Sequence, residues 1–97
     1  MVLGSLRTFK LTIAYDGTNY AGWQRQLGVD TIQARLEAAV AEIEGNHVTV
    51  HGAGRTDSGV HALGQVASFE IEHGITGSAL RRALNAKLPE DIRVREV

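Results

Sequence analysis

The amino-acid sequence predicts an α+β fold in which two helices cover one face of a four-stranded antiparallel sheet. Three observations support this prediction. Short segments alternate apolar and polar residues as strands do, other segments repeat apolar residues at helical spacing, and the segments follow one another as β-α-β-β-α-β. Right-handed crossovers make the ferredoxin-like arrangement the simplest packing of that order. Because this fold serves many functions, it does not by itself indicate one.

The first half of the chain predicts a strand, a long loop, a helix and a short second strand. Residues 9–15 alternate in polarity, and a turn signal after them opens the loop. Asp30 followed by Gln33 resembles a capping box at the start of the helix, and Gly45 is expected to end it. The other markers are the helical stripe Ile32, Leu36, Ala39, Val40 and Ile43, and the second strand at Val48 and Val50.

The second half of the chain predicts another long loop, a strand, a helix and a last strand. Residues 52–64 follow neither a strand nor a helix period, and residues 65–71 are expected to form the third strand. The second helix is expected to start within residues 76–78 and to stop at Pro89. Its apolar face is Leu80, Ala83, Leu84 and Leu88, and the last strand alternates Ile92 and Val94 with Arg93 and Arg95.

Composition limits the class of protein. The 97 residues are 43 % hydrophobic, which suits a single domain over residues 1–97. The sequence holds no apolar run that could span a bilayer, and its start lacks the features of a secretory signal. The absence of cysteine excludes disulfides and thiolate metal sites and fits a reducing compartment, so we expect a cytoplasmic protein. The net charge of −1 is low for a domain that binds nucleic acid alone.

The long loop between the second and third strands is the candidate functional segment. Hairpins usually turn in about two to five residues, and longer ordered loops are often functional. Glycines flank Asp57 at a distance of two or three residues, so the backbone there can come close to a bound molecule. Arg55 can pair with a phosphate or stack on a base. The residues also allow a simpler interpretation, in which Asp57 accepts a hydrogen bond from its own turn.

Four segments resemble the TruA-type tRNA pseudouridine synthases, in the same order along the chain. Residues 54–62, Gly-Arg-Thr-Asp-Ser-Gly-Val-His-Ala, are similar to the family's catalytic motif GRTDAGVHA. Residues 15–26 resemble the family's opening YDGxxYxGWQRQ, and residues 31–37 resemble the helix start that follows. Residues 85–92 are similar to its NAxLPxDI segment. The resemblance therefore covers nearly the whole chain from Phe9 onward.

The resemblance implies an enzyme that isomerises uridine to pseudouridine in the anticodon stem-loop of tRNA, without a cofactor or metal. It identifies Asp57 as the catalytic residue. Whether Asp57 attacks the ribose, adds to the base or removes a ribose proton stays open. Arg55 would hold the target strand and keep the base flipped out. The further RNA-binding residues that we assign are Thr56, Gln24, Arg25 and His61, the last of which is expected to brace the loop.

The resemblance also implies that this chain is the N-terminal half of a larger catalytic core, with the C-terminal half absent. Family members have a second domain of similar topology, and the active-site cleft lies between the halves. The chain alone is therefore expected to be inactive, and its exposed edges predict a homodimer. Two departures from the family pattern are Ser58, where Ala is common, and Ser68, where many members have His.

Other interpretations of the sequence remain open. An RNA-recognition module shares this topology, but residues 64–69 offer only one aromatic side chain where at least two are wanted. A non-catalytic interaction domain is the third class. The four histidines do not predict a metal site, since His47 and His51 would lie about 13 Å apart along a strand. For Trp23 and Tyr20, packing against the sheet competes with stacking on RNA bases, and for Trp23 we favour packing.

Overall fold

A computed structural model describes residues 6–97 as one sheet covered by two helices. Every strand pairing is antiparallel, and the strand order is β2-β3-β1-β4. Element order and pairing confirm the predicted α+β, ferredoxin-like fold. The elements are β1 (Arg7–Tyr15), a 3₁₀ turn (Gly17–Asn19), α1 (Ile32–Glu44), β2 (His51–Gly52), β3 (Ala62–Ile71), α2 (Gly77–Lys87) and β4 (Ile92–Glu96).

The hydrophobic core lies between the inner face of the sheet and the two helices. Along β1, β3 and β4, buried side chains alternate with more exposed ones, as in a sheet with one covered face. The helices α1 and α2 also contact each other. The fully buried core residues include Leu11, Ile13, Ile32, Leu36, Val40, Phe69, Ile71, Leu80, Leu84 and Ile92.

The aromatic side chains of residues 6–97 all belong to this core or pack against it. Phe9 and Phe69 are register partners on β1 and β3, and their ring centroids lie 6.0 Å apart. Tyr15, Tyr20 and Trp23 are buried. The packing role favoured for Trp23 is thus confirmed, and Tyr20, for which both roles were open, is packed in the core as well. The open face of the sheet lacks the stacking platform that an RNA-recognition module needs.

The helix ends show one correction to the sequence analysis. The N-cap of α1 is Thr31, whose Oγ1 accepts from the Ala34 N–H at 3.3 Å, so the prediction of a cap at Asp30 is wrong. The Asp30 carboxylate instead pairs with Arg35, and this hydrogen-bonded pair lowers the pKa of Asp30. Gly45 ends α1 as predicted, in the left-handed conformation with φ 91°.

The second strand also differs from the prediction. The sequence analysis placed it at Val48 and Val50, whereas β2 is only His51–Gly52. The N–H of the fully buried Val50 donates to the Glu37 carboxylate at 3.0 Å instead of to a neighbouring strand. At the other end of the loop, β3 begins at Ala62 rather than residue 65, because Ala62 pairs with Tyr15 across a β-bulge.

Candidate active site

The segment that connects β2 and β3, residues 53–61, is held against the segment that follows β1. It is called the catalytic loop below, after the family motif that it resembles. The Thr56 carbonyl accepts from the Trp23 N–H at 3.0 Å, and the Gly59 N–H donates to the Tyr20 carbonyl at 3.2 Å. A side-chain contact adds to these, since the Tyr15 and Thr56 hydroxyls lie 2.7 Å apart. The loop is therefore fixed by long-range hydrogen bonds on both sides of Asp57.

Two glycines allow this close approach. A Cβ added to Gly17 would lie 1.9 Å from the Val60 carbonyl oxygen, and one added to Gly22 would lie 2.6 Å from the Thr56 carbonyl oxygen. Gly22 also has a φ of +100°, a conformation that L side chains rarely adopt. A side chain at either position would push the catalytic loop out of place.

Asp57 is the acidic residue of this loop, and its side chain is uncommitted. Its backbone carbonyl accepts from the Val60 N–H at 3.1 Å and closes the turn. Its exposed carboxylate makes no hydrogen bond or ion pair with any other residue in the described range 6–97. The turn is thus stabilised by the backbone, and the carboxylate does not serve as its internal acceptor.

An open cleft of about 500 Å³ lies beside Asp57. The structure brings four of the predicted site residues together along it, namely Asp57, Arg55, Thr56 and Gln24. The Arg55 and Gln24 side chains are exposed, so both can reach a ligand in the cleft. The remaining lining residues are Ala21, Gln26 and Ser58.

The other two predicted RNA-binding residues lie away from the lining of this cleft. His61 Nδ1 accepts from the Gly17 N–H at 2.9 Å and lies 3.1 Å from an Asp16 carboxylate oxygen. Since one nitrogen cannot accept and donate at once, the Gly17 bond needs an Nδ1 without a proton, and a hydrogen bond to Asp16 needs an Nδ1 that carries one. Arg25 is paired with the buried Glu37. Both side chains hold neighbouring segments of the chain together.

Sequence analysis missed two residues that support the site. Glu37 is only 4 % exposed, and it joins Arg25 to the backbone of Val50. Its position between two buried residues of the helical stripe was the signal, because an acid on a buried face needs a partner. The second missed residue is Tyr15, whose hydroxyl contact with Thr56 depends on a tertiary approach that no local pattern encodes.

Within residues 6–97, no group of three or more histidine or acidic side chains is arranged to hold a metal ion. In the same part of the chain, no helix is both long and apolar enough to cross a membrane.

The fold and the cleft define the class of protein: an α+β domain that presents a free carboxylate in a glycine-rich loop, which long-range hydrogen bonds hold in place. Comparison with known proteins gives the family. The model of a family described as tRNA pseudouridine synthase matches residues 11–97. The chain belongs to the tRNA pseudouridine synthase family.

Individual relatives agree with this assignment. The chain is 52 % identical over 89 residues to a tRNA pseudouridine synthase A of Maridesulfovibrio salexigens, covering 92 % of the chain and 33 % of the relative. A protein of the same name from Acetivibrio thermocellus is 50 % identical over 91 residues, covering 94 % and 37 %. One from Afipia carboxidovorans is 55 % identical over 80 residues, covering 82 % and 33 %. The chain thus spans about a third of the length of these relatives.

Proposed function

We propose that this chain carries the catalytic aspartate of an enzyme that isomerises uridine to pseudouridine in tRNA, and that this aspartate is Asp57. The observation that supports the proposal best is the uncommitted carboxylate of Asp57 beside an open cleft, in a loop that is held on both sides. A carboxylate without an internal partner is available to act on a substrate as a nucleophile or a base. The names of the relatives supply the reaction.

The proposed reaction rearranges one bond and leaves the composition of the substrate unchanged. The bond between ribose C1′ and uracil N1 breaks, the base turns, and C1′ bonds to C5. A proton leaves C5, and N1 gains one. Asp57 contributes by attack on C1′, by addition to the base or by removal of a ribose proton. Because no atom is oxidised or reduced overall, the proposal includes no redox cofactor.

Three neighbours of Asp57 are proposed to contact the RNA. A base inside a stem must leave its stack before an enzyme can act on it. Arg55 has an exposed planar guanidinium at the cleft, which suits the gap or the phosphates left by a flipped nucleotide. Gln24 and Thr56 line the same cleft. For Arg25 and His61, the contacts with Glu37 and Gly17 favour a positioning role over direct RNA contact.

We further propose that the cleft is completed by polypeptide beyond this chain, in a second domain. Two observations support this. The chain spans about a third of its relatives, and no cationic side chain of residues 6–97 pairs with Asp57. Catalysis by Asp57 requires a positioned substrate and neighbours that set its charge state. The 97-residue chain alone is therefore expected to form no pseudouridine.

The test uses the complete protein that contains this chain and tRNA carrying tritium at uridine C5. Tritium release by the parent and a loss of about 10³-fold or more in Asp57→Ala would support both the reaction and the residue. Ser58→Ala, a small change at the adjacent exposed position, serves as the matched control and should retain release. Equal release by the parent and by Asp57→Ala would rule out Asp57, and no release by the parent would rule out the reaction.

The anticodon stem-loop is the proposed target within tRNA, and the cytoplasm is the proposed compartment. The target follows from the family resemblance, and the compartment is proposed because the sequence has no cysteine. Replacing the uridines of the stem-loop by cytidine, while other labelled uridines are kept, should abolish tritium release. Release that persists from such a tRNA would place the target elsewhere.

A homodimer is the proposed assembly. Strand β4 lies at one edge of the sheet, and Leu63, at the start of β3 on the far side of β1, is 81 % exposed. An unpaired edge and exposed apolar groups favour association with a second copy. Light scattering of the 97-residue chain should show a dimer that Leu63→Asp weakens. Leu27→Asp is the control, because Leu27 is equally apolar and fully exposed but lies in the loop before α1. A monomer at high concentration would contradict the proposal.

A further inference from the structure

A second, smaller cleft adjoins the cleft of Asp57. Its volume is about 180 Å³, below the roughly 300–1,000 Å³ of pockets that enclose a whole small-molecule ligand. Arg55 and Gln24 line both clefts and so form the boundary between them. The smaller cleft is completed by Trp23, Gln33, His51 and Gly52. Its size suits one chemical group of a ligand whose remainder lies outside it.

The indole N–H of Trp23 points to a ligand in this cleft. Trp23 is only 3 % exposed, yet its Nε1 donates no hydrogen bond to any of residues 6–97. In this range every fully buried side-chain nitrogen or oxygen has a partner, so Nε1 itself must reach the surface. The ring edge that carries Nε1 lies against Gly52, where an added Cβ would be 2.6 Å from that nitrogen. Trp23 and Gly52 both line the cleft, so the indole N–H of this largely buried ring is available to donate to a ligand there.

The other residues that line the smaller cleft favour a ligand group that accepts hydrogen bonds and carries negative charge. No carboxylate lines the cleft, although the chain has a net charge of −1. Arg55 and His51 are exposed, and neither makes a side-chain hydrogen bond within residues 6–97. Gln33 is a fixed wall, because its side-chain oxygen accepts from the Arg25 N–H and its nitrogen donates to the Val50 carbonyl. Three free donor side chains, Trp23, Arg55 and His51, and no acid make a phosphate group the matching ligand.

We propose that this cleft binds the phosphate of the nucleotide adjacent to the target uridine, through the Trp23 indole N–H, the Arg55 guanidinium and the His51 imidazole. The inference rests on the proposed function, because it takes the Asp57 cleft as the uridine site. One RNA strand that passes over Arg55 would occupy both clefts. Its target base would then lie at Asp57 and the neighbouring phosphate against Trp23. The site therefore fixes the register of the strand relative to the catalytic carboxylate.

The experiment is an NMR titration of the ¹⁵N-labelled 97-residue chain. Trp23 is the one tryptophan of the sequence, so its indole N–H signal is identified without further assignment. The probes are the dinucleotide UpU, uridine and inorganic phosphate at constant pH and ionic strength. UpU should shift the indole signal at about a tenfold lower concentration than inorganic phosphate, because it occupies both clefts. Uridine should shift the Asp57 and Ser58 amide signals and leave the indole signal unchanged.

Variants distinguish binding in the smaller cleft from a general attraction between the protein's positive charges and the phosphate. Arg55→Gln should weaken UpU binding severalfold and make that binding less sensitive to salt. His51→Gln should weaken it less, since it keeps a hydrogen-bond donor. Arg82→Gln removes the same charge from an exposed position on α2 and should change nothing. Equal losses in Arg55→Gln and Arg82→Gln would overturn the proposal.

The two reporters distinguish the failure of this inference from that of the proposed function. If UpU shifts the Asp57 and Ser58 signals but not the indole signal, the phosphate site is wrong and the proposed function stands. An indole shift of equal size with uridine, or equal affinity for inorganic phosphate and UpU, also overturns it. If the indole signal responds to UpU as expected while the complete protein releases no tritium, the phosphate site stands and the proposed reaction falls.

Discussion

Two loops of this domain each present an aspartate near a glycine, and they use it differently. Asp16, in the loop after β1, accepts from the Thr18 N–H at 3.0 Å and from the Thr18 hydroxyl at 2.6 Å. These hydrogen bonds lower the pKa of Asp16, and His61 lowers it further. Asp57, in the catalytic loop, has no such partner among residues 6–97. One carboxylate shapes its loop, and the other is left for a ligand.

The comparison also shows which loop supports the other. The Gly17 N–H, the Tyr20 carbonyl and the Trp23 backbone N–H all bond to residues of the catalytic loop, His61 included. The catalytic loop thus gains its shape from contacts that leave its acid free. An acid that is held by its own turn is a structural feature, whereas one presented by a turn that other residues hold is a candidate for chemistry. The following predictions test that distinction in order of decreasing effect.

Gly17→Ala should have the largest effect on stability. Its Cβ would overlap the Val60 backbone carbonyl, which cannot move without displacing the catalytic loop. We expect a loss of about 3 kcal/mol in the free energy of unfolding, measured by urea denaturation of the 97-residue chain. Gly74→Ala is the control, since nothing lies within 4 Å of its added Cβ. Similar stabilities for the two variants would mean that the contact between the loops is not tight.

Arg25→Gln and Arg55→Gln compare one arginine from each of the two loops, Arg25 from the loop after β1 and Arg55 from the catalytic loop. Arg25 neutralises the buried Glu37, so its loss should cost about 1–2 kcal/mol of unfolding free energy, a value reduced because Arg25 itself is half exposed. Arg55 has no partner among residues 6–97, and its replacement should stay within about 0.5 kcal/mol. Urea denaturation measures both. A destabilised Arg55→Gln would contradict its assignment as a free ligand group.

Tyr15→Phe removes the hydroxyl contact with Thr56 and keeps the buried ring. Tyr15 is 4 % exposed, so we expect a loss of about 1 kcal/mol in unfolding free energy. Hydrogen exchange of backbone amides in residues 53–61 should become faster, while exchange in α1 should change only in proportion to global stability. Unchanged exchange in the loop would show that the backbone hydrogen bonds alone hold it.

Asp16→Asn and Asp57→Asn should show the smallest effect, and a pH dependence separates them. The pKa of Asp16 is below its ordinary value of 3.8, so the charged carboxylate stabilises the folded chain above that pH. Asp16→Asn should therefore lower the melting temperature at neutral pH, and the difference should vanish as the pH falls through the folded-state pKa. Asp57→Asn should leave the melting temperature unchanged at neutral pH. A loss for Asp57→Asn as large as that for Asp16→Asn would remove the contrast between the loops.

The order and type of the elements could be predicted because they depend on local periodicity. The alternation in residues 9–15 and the stripe from Ile32 to Ile43 each gave the correct element, and Gly45 ended α1 where a left-handed residue was expected. The errors occurred where a distant group replaced a local one. Thr31 caps α1 while Asp30 pairs with Arg35, and the Val50 N–H bonds to the Glu37 carboxylate instead of extending β2.

The same division between local and distant contacts applies to the candidate site. The sequence by itself determined the fold class, the family motif and the identity of Asp57 and Arg55 as candidates, since residue types and spacing carry that information. Only the tertiary structure decided that Arg25 pairs with Glu37, that His61 holds Gly17, and that the Trp23 indole N–H finds no partner among residues 6–97. These outcomes depend on which groups meet after the sheet and helices have packed. A side chain becomes structural or available according to neighbours that are distant in the sequence.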